Sequence, residues 1–220
     1  MTNSAPHDAL PPGGRMPSAE ELDRLWAPWT PGEVAERLAH VQAPWCVAGG
    51  WAIDLYLGGT PRLHSDIEIA VPRRGFPEIA DALPGFEWDV AGAGRLWPYA
   101  DAGEHPDLHQ TWCRDPASGR YHLDVFREPH DGNRWVCRRD PSITLPYGEL
   151  IGFRDGMPYL IPEVALLFKA RRADPKDQND FDRVAPRLTE TSRARLAGWI
   201  TRLYPDHGWL GQLADARLMR

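Results

Sequence analysis

The stretch from Trp45 to Val71 constrains this chain most, because it couples a glycine turn to an acidic strand over a short distance. Trp45-Cys46-Val47-Ala48 is a short apolar run ending in Gly49-Gly50, the pattern of a strand entering a tight turn. Trp51 to Leu57 carries apolar residues at helical spacing, and Gly58-Gly59 ends that helix. Ile67, Ile69 and Val71 then alternate with Asp66, Glu68 and Ala70, which is strand periodicity. Residues two apart share one face of a strand, so Asp66 and Glu68 project together while Ile67 and Ile69 face a core. Neighbouring carboxylates repel unless a cation sits between them. Mg²⁺ suits such a pair, since it takes oxygen ligands and is often held by one or two carboxylates plus substrate phosphates. Upstream, Gly49 and Gly50 let backbone amides approach a ligand, and the following helix offers unpaired N–H groups to an anion. About fifteen residues join the two features, which places an anion cradle beside a cation site. Arg62, between them, is a candidate phosphate clamp.

A second acidic strand is legible in Tyr121-His122-Leu123-Asp124-Val125-Phe126. Asp124 lies between apolar Leu123 and Val125 and so faces away from them. Farther on, Pro162 to Lys169 leads into Lys176-Asp177-Gln178-Asn179-Asp180. Of 25 lysines and arginines only Lys169 and Lys176 are lysines, and the two side chains are not interchangeable in chemistry. Asp177 and Asp180, one helical turn apart, cap their helix or orient the basic residues, and capping is the expectation for Asp180.

The Trp45–Val71 segment resembles the polymerase-β-type nucleotidyltransferase superfamily. It is closest to the small bacterial branch with aminoglycoside and lincosamide nucleotidyltransferases and AbiEii-type toxins. The shared pattern is a Gly-Gly turn and helix, then Thr-Arg-x-His-x-Asp-x-Asp/Glu on a strand. Two departures stand out: Pro61 is inserted between Thr60 and Arg62, and Glu68 stands where Asp is commoner. The resemblance implies an α+β nucleotidyltransferase fold, a mixed and mainly antiparallel sheet with helices, followed by a C-terminal helical bundle. It implies a nucleoside triphosphate substrate with its phosphates at Gly49, Gly50, Arg62, Lys169 and Lys176. It also implies two Mg²⁺ ions held by Asp66, Glu68 and Asp124, with Asp124 acting as metal ligand, as base for the incoming hydroxyl, or both. The implied reaction passes a nucleoside monophosphate to a hydroxyl of a small-molecule acceptor, aminoglycoside- or lincosamide-like, and releases pyrophosphate. A toxin-type enzyme acting on tRNA or protein, and a nucleotide-binding protein with a degenerate site, are the alternatives.

Residues 1–17 are Pro-, Gly- and polar-rich without periodicity and are expected to be disordered. Residues 18–160 form the expected catalytic core and 161–220 the expected helical region. Ser18 with Glu21, and Thr30 with Pro31, mark two helix starts. Asp115 to Gly119 and Asp155-Gly156 read as hairpin loops. Arg73-Arg74 reads as a solvated strand end, and Trp97, Trp112 and Trp135 as core residues or the wall of a cleft. The net charge of −6 argues against a large polynucleotide partner. A tRNA would need the basic cluster Lys169, Arg171, Arg172 and Lys176. The three cysteines form no metal or disulfide pattern. No apolar run approaches a membrane span, and no signal peptide is visible, so a cytoplasmic protein is expected.

Overall fold

Ser18 and Thr30 begin the first two helices as their side chains predict. Ser18 Oγ accepts a hydrogen bond from the Glu21 amide, and Thr30 and Glu33 form a reciprocal capping box. Each satisfies amides that a first helical turn leaves unpaired. The computed structural model describes residues 10–58 and 63–215. In chain order the elements begin with α1 (Ala19–Leu25), α2 (Pro31–Arg37), β1 (Cys46–Val47), α3 (Gly49–Leu57), β2 (Glu68–Pro72), α4 (Phe76–Asp81), β3 (Glu87–Gly92) and β4 (Arg95–Pro98). They continue with α5 (Tyr99–Ala102), β5 (Gln110–Arg114), β6 (Tyr121–Glu128), β7 (His130–Asp131), β8 (Arg134–Val136), β9 (Thr144–Pro146) and α6 (Tyr147–Leu150). The last are β10 (Ile151–Arg154), β11 (Met157–Leu160), α7 (Pro162–Lys169), α8 (Pro175–Val184), α9 (Glu190–Leu203) and α10 (Trp209–Asp215).

The chain divides into two compact units, 1–44 with 65–128, and 45–64 with 129–220. The boundary expected at 160/161 falls inside the second unit. In the first unit the strands run in the order β2-β6-β5-β3-β4. β2 and β6 are parallel, and the other neighbours are antiparallel. Ile67, Ile69, Val90, Leu123 and Val125 are fully buried, each stabilising the fold by roughly 1.5–3 kcal/mol. The β5–β6 hairpin carries a register shift at Cys113/Arg114: Arg114 pairs with Tyr121 but Cys113 pairs with Leu123. His122 is therefore the extra residue of a β-bulge. Its ring stacks on Trp29, and its Nδ1 lies 2.6 Å from the Ala27 carbonyl oxygen.

One expectation changes in this unit. Of the segment 1–17, residues 1–9 lie outside the described residues, and Arg15 exchanges two backbone hydrogen bonds with Leu96, both 2.8 Å. An edge strand has unpaired backbone groups to offer, and Arg15 uses those of β4. Arg73 is not a solvated strand end. It lies in a 3₁₀ turn and donates to the carbonyls of His105, Pro106 and Leu108.

In the second unit β1 pairs in parallel with β11, and β10 and β11 form the hairpin expected around Asp155-Gly156. Both turn residues have positive φ, 50° and 82°, as a tight two-residue turn demands. Strands β7, β8 and β9 make a small antiparallel sheet. Helices α7 to α10 supply the expected C-terminal helices. They bury Leu166, Phe181, Leu196, Ile200 and Trp209, with Phe181 stacked on Trp209 at 4.2 Å. Trp97 and Trp135 are core residues, each 1% exposed. The three cysteines are buried and form no disulfide among the described residues, and burial pushes the Cys113 thiol up to about 12.

Candidate active site

The parallel pairing of β2 with β6 brings two of the expected carboxylates together. Glu68 is the register partner of Asp124, and the Asp124 amide donates to the carbonyl of Ile67 at 2.9 Å. Ile67, Leu123 and Val125 fill the core on the opposite face, so the alternation read from sequence sets which way the acids point. Asp66 stands just before β2 and is half-buried.

Asp124 is buried and strongly perturbed. It is 4% exposed, and its carboxyl is held well above the usual carboxylate range, first by burial, then by the negative charge of Glu68, with Asp66 adding to it. Gln110 works against this rise, donating from Nε2 to Asp124 Oδ2 at 2.7 Å. Asp124 Oδ1 is buried without a hydrogen-bond partner. A buried carboxylate oxygen left unmatched is costly until a donor or a cation satisfies it. Mutually repelling carboxylates with one orphaned oxygen are the donor set that a hard divalent cation fits. Among the described residues no three His, Cys, Asp or Glu side chains form a ready-made cage for a metal. Mg²⁺ does not need one, since it keeps waters and uses substrate phosphates as ligands. Of the expected acids, Glu68 and Asp124 are the two that the strand pairing brings together.

In the second unit Gly49 and Gly50 are not a turn ahead of α3 but its first two residues. Gly49 has φ 57°, a left-handed conformation that favours glycine. Ala48 is the N-cap and makes no side-chain capping bond. The first-turn amides of α3 are thus not satisfied by a cap, which suits an anion. At the other end Gly58, at φ 65°, is the expected C-cap. Arg62 lies outside the described residues.

Lys169 sits at the end of α7 with its ammonium between two carboxylates of α8, 3.0 Å from Asp177 and 2.8 Å from Asp180. Burial works against its charge, but Asp180 and Asp177 outweigh it and raise its pKa. Asp180 is therefore not a cap. It is fully buried, and the N-cap of α8 is Asp174. The chain of charges continues: Arg183 lies 3.8 Å from Asp180 and 2.9 Å from Asp54, and Asp54 lies 2.8 Å from His64 Nε2. Trp51 stacks on the His64 ring at 4.4 Å. Lys176 is exposed in the first turn of α8.

Sequence reasoning missed Gln110, Asp54, His64 and Arg183. His64 was visible as part of the motif, without a role. Asp54 and Arg183 gave no local signal, because they are 129 residues apart. Gln110 was hidden by the β-bulge, which decides which β5 residues share the face of Asp124.

The fold is that of a nucleotidyltransferase. The crystal structure of ANT(2'')-Ia in complex with adenylyl-2''-tobramycin aligns with TM-score 0.53 at 16% identity, over 78% of this chain and 95% of that one. The solution structure of the antibiotic-resistance factor ANT(2'')-Ia aligns with TM-score 0.52 at 14% identity, over 86% and 95%. Lincomycin-bound LnuA, a lincosamide antibiotic adenylyltransferase, gives 0.48 at 17% identity, over 70% and 92%. More narrowly, the family model of aminoglycoside-2''-adenylyltransferase matches residues 32–113. That span holds Gly49, Gly50, Asp66, Glu68 and Gln110, and stops short of Asp124. No curated protein matches the chain in sequence. The family model thus covers less than half of the chain, and the two ANT(2'')-Ia structures share its fold.

Proposed function

We propose that this protein transfers a nucleoside monophosphate from a nucleoside triphosphate to a hydroxyl of a small, hydroxylated, antibiotic-like acceptor, releasing pyrophosphate. The observation that carries the reading is the pairing of Glu68 with buried Asp124, two repelling carboxylates on one face of the sheet. In the first unit, Asp66, Glu68 and Asp124 would hold Mg²⁺. Bound there, the metal supplies charge neutralisation at the reacting phosphate. In the second unit, the uncapped first turn of α3 offers amides to phosphate oxygens. Asp124, poised above the ordinary carboxylate range by its surroundings, is suited to accept a proton from the attacking hydroxyl once a cation favours its ionised form. Such a reaction relies on positioning and electrostatic stabilisation more than on covalent chemistry.

The family match and the charge support this acceptor class. The net charge of −6 suits a small cationic or neutral acceptor better than a polynucleotide. Of the basic cluster a tRNA would need, Lys169 is turned onto Asp177 and Asp180. The test is an incubation with each labelled nucleoside triphosphate and Mg²⁺ against aminoglycosides, lincosamides and tRNA. We expect label on a small acceptor with matching pyrophosphate release. Asp66→Asn should lower that rate at least about a hundredfold while leaving the thermal melt in place. Label on tRNA alone would overturn the small-molecule assignment, and Asp66→Asn transferring at the full rate would overturn the site.

A further inference from the structure

The acceptor oxygen left unmatched on Asp124 has a counterpart one strand away. Trp112 is the register partner of Asp124 across the β5–β6 pair, so its side chain stands beside the carboxylate on the same face. Trp112 Nε1, like Asp124 Oδ1, is buried with no hydrogen-bond partner. A buried donor and a buried acceptor, both unmatched and in paired positions, are each costly alone and satisfied together. The other oxygen of Asp124 already receives Gln110, two residues earlier on the same strand. The indole is braced from behind, its ring 5.2 Å from Trp26 and 5.1 Å from Tyr121.

We propose that Gln110 and Trp112 are positioning residues for the reaction. They form a pair of neutral donors on β5 that fixes the plane of the Asp124 carboxylate, Gln110 through Oδ2 and the Trp112 indole N–H through Oδ1. The proposal rests on the nucleotidyl-transfer reading for its kinetic consequence, but not for the contact itself. Neutral donors suit this place. A cationic partner would compete with a metal for the same oxygens, whereas an amide and an indole orient the carboxylate and leave its charge for the substrate complex. Both groups act against the upward pull of burial and of Glu68 on Asp124. The β-bulge at His122 makes the arrangement possible. Without the shift at Cys113/Arg114, Trp112 would face buried Leu123 in place of Asp124.

Two measurements test this independently. In ¹H–¹⁵N spectra, the indole resonance of Trp112 is identified among the ten tryptophans by its loss in Trp112→Phe. It should move in Asp124→Ala, and move less in Asp124→Asn, which keeps the size of the side chain and one carbonyl oxygen. An indole resonance indifferent to both variants overturns the contact. In steady-state kinetics, Trp112→Phe, which keeps the aromatic packing, and Gln110→Leu should each lower kcat about tenfold. The nucleotide KM should stay within about twofold, and the double variant should lose about a hundredfold. Unchanged kcat, or a loss confined to KM, overturns the positioning role. If the unaltered protein transfers nothing, the nucleotidyl-transfer reading fails, and the resonance still decides whether Trp112 donates to Asp124.

Discussion

At the scale of single residues, the environment of Asp124 has a measurable thermodynamic consequence. Burial and the charge of Glu68 raise its pKa in the folded protein above the ordinary carboxylate value of 3.8. A raised acid favours folding while it is protonated in both states, and that contribution is lost as pH rises through the folded value. Metal-free protein should therefore lose stability on going from acid toward neutral pH, to the extent that Asp124 governs it. Asp124→Asn removes the penalty. Thermal melts of the two proteins should converge in acid and separate at neutral pH, with the variant the more stable. Added Mg²⁺ should narrow the gap by stabilising only the unaltered protein. A variant no more stable than its parent at neutral pH would contradict the account of Asp124 as an uncompensated buried acid.

At the scale of elements, helices α7 and α8 are joined by charge where a bundle would usually rely on apolar contacts alone. Lys169 is 13% exposed at its side chain and Asp180 1%, so the pair is shielded from solvent. Removing one member of such a pair leaves the other uncompensated, at a cost of about 3 kcal/mol. Asp180→Ala should thus lower the melting temperature by on the order of 10 °C in a domain of this size. Asp180→Asn, which keeps a hydrogen-bond acceptor, should cost less. The N-terminal helices give a smaller effect. Thr30→Ala dismantles a capping box on α2 and should cost about 1 kcal/mol. If Asp180→Ala melts within a degree of its parent, the ion pairs between α7 and α8 are not what hold Lys169 in place. Capping residues such as Thr30 are readable from sequence because both partners lie within one helical turn. The Lys169–Asp180–Arg183–Asp54–His64 chain was not, because three of its segments meet only after folding.

At the scale of the whole molecule, charge separates the acceptor classes. With 31 acidic against 25 basic residues, the protein has no net attraction for a phosphate backbone. Transfer to a small acceptor should change little between 50 and 200 mM salt. An acceptor held by many phosphate contacts would lose on the order of 10³-fold or more in affinity over that range. A rate that collapses with salt would therefore point back to a polynucleotide. Among the described residues, no helix is long and apolar enough to cross a membrane.

Local pattern alone determined the strands that carry Glu68 and Asp124, the Gly58 end of α3, the Ser18 and Thr30 caps and the hairpins. It also determined that Asp124 faces opposite to Leu123 and Val125. These follow from period-two and period-3.6 alternation and from turn chemistry, which act over a few residues. Tertiary structure decided which strand lies beside which, and with what register. Counting back from the 115–119 loop would set Trp112 opposite Leu123, yet one extra residue, His122, sets it opposite Asp124. A single-residue shift turns every side chain of a strand to the other face, and its cause, the hold of Trp29 and the Ala27 carbonyl on His122, lies about a hundred residues upstream. The acids were thus written in the strands that carry them, while the groups that orient them were settled by how those strands pair.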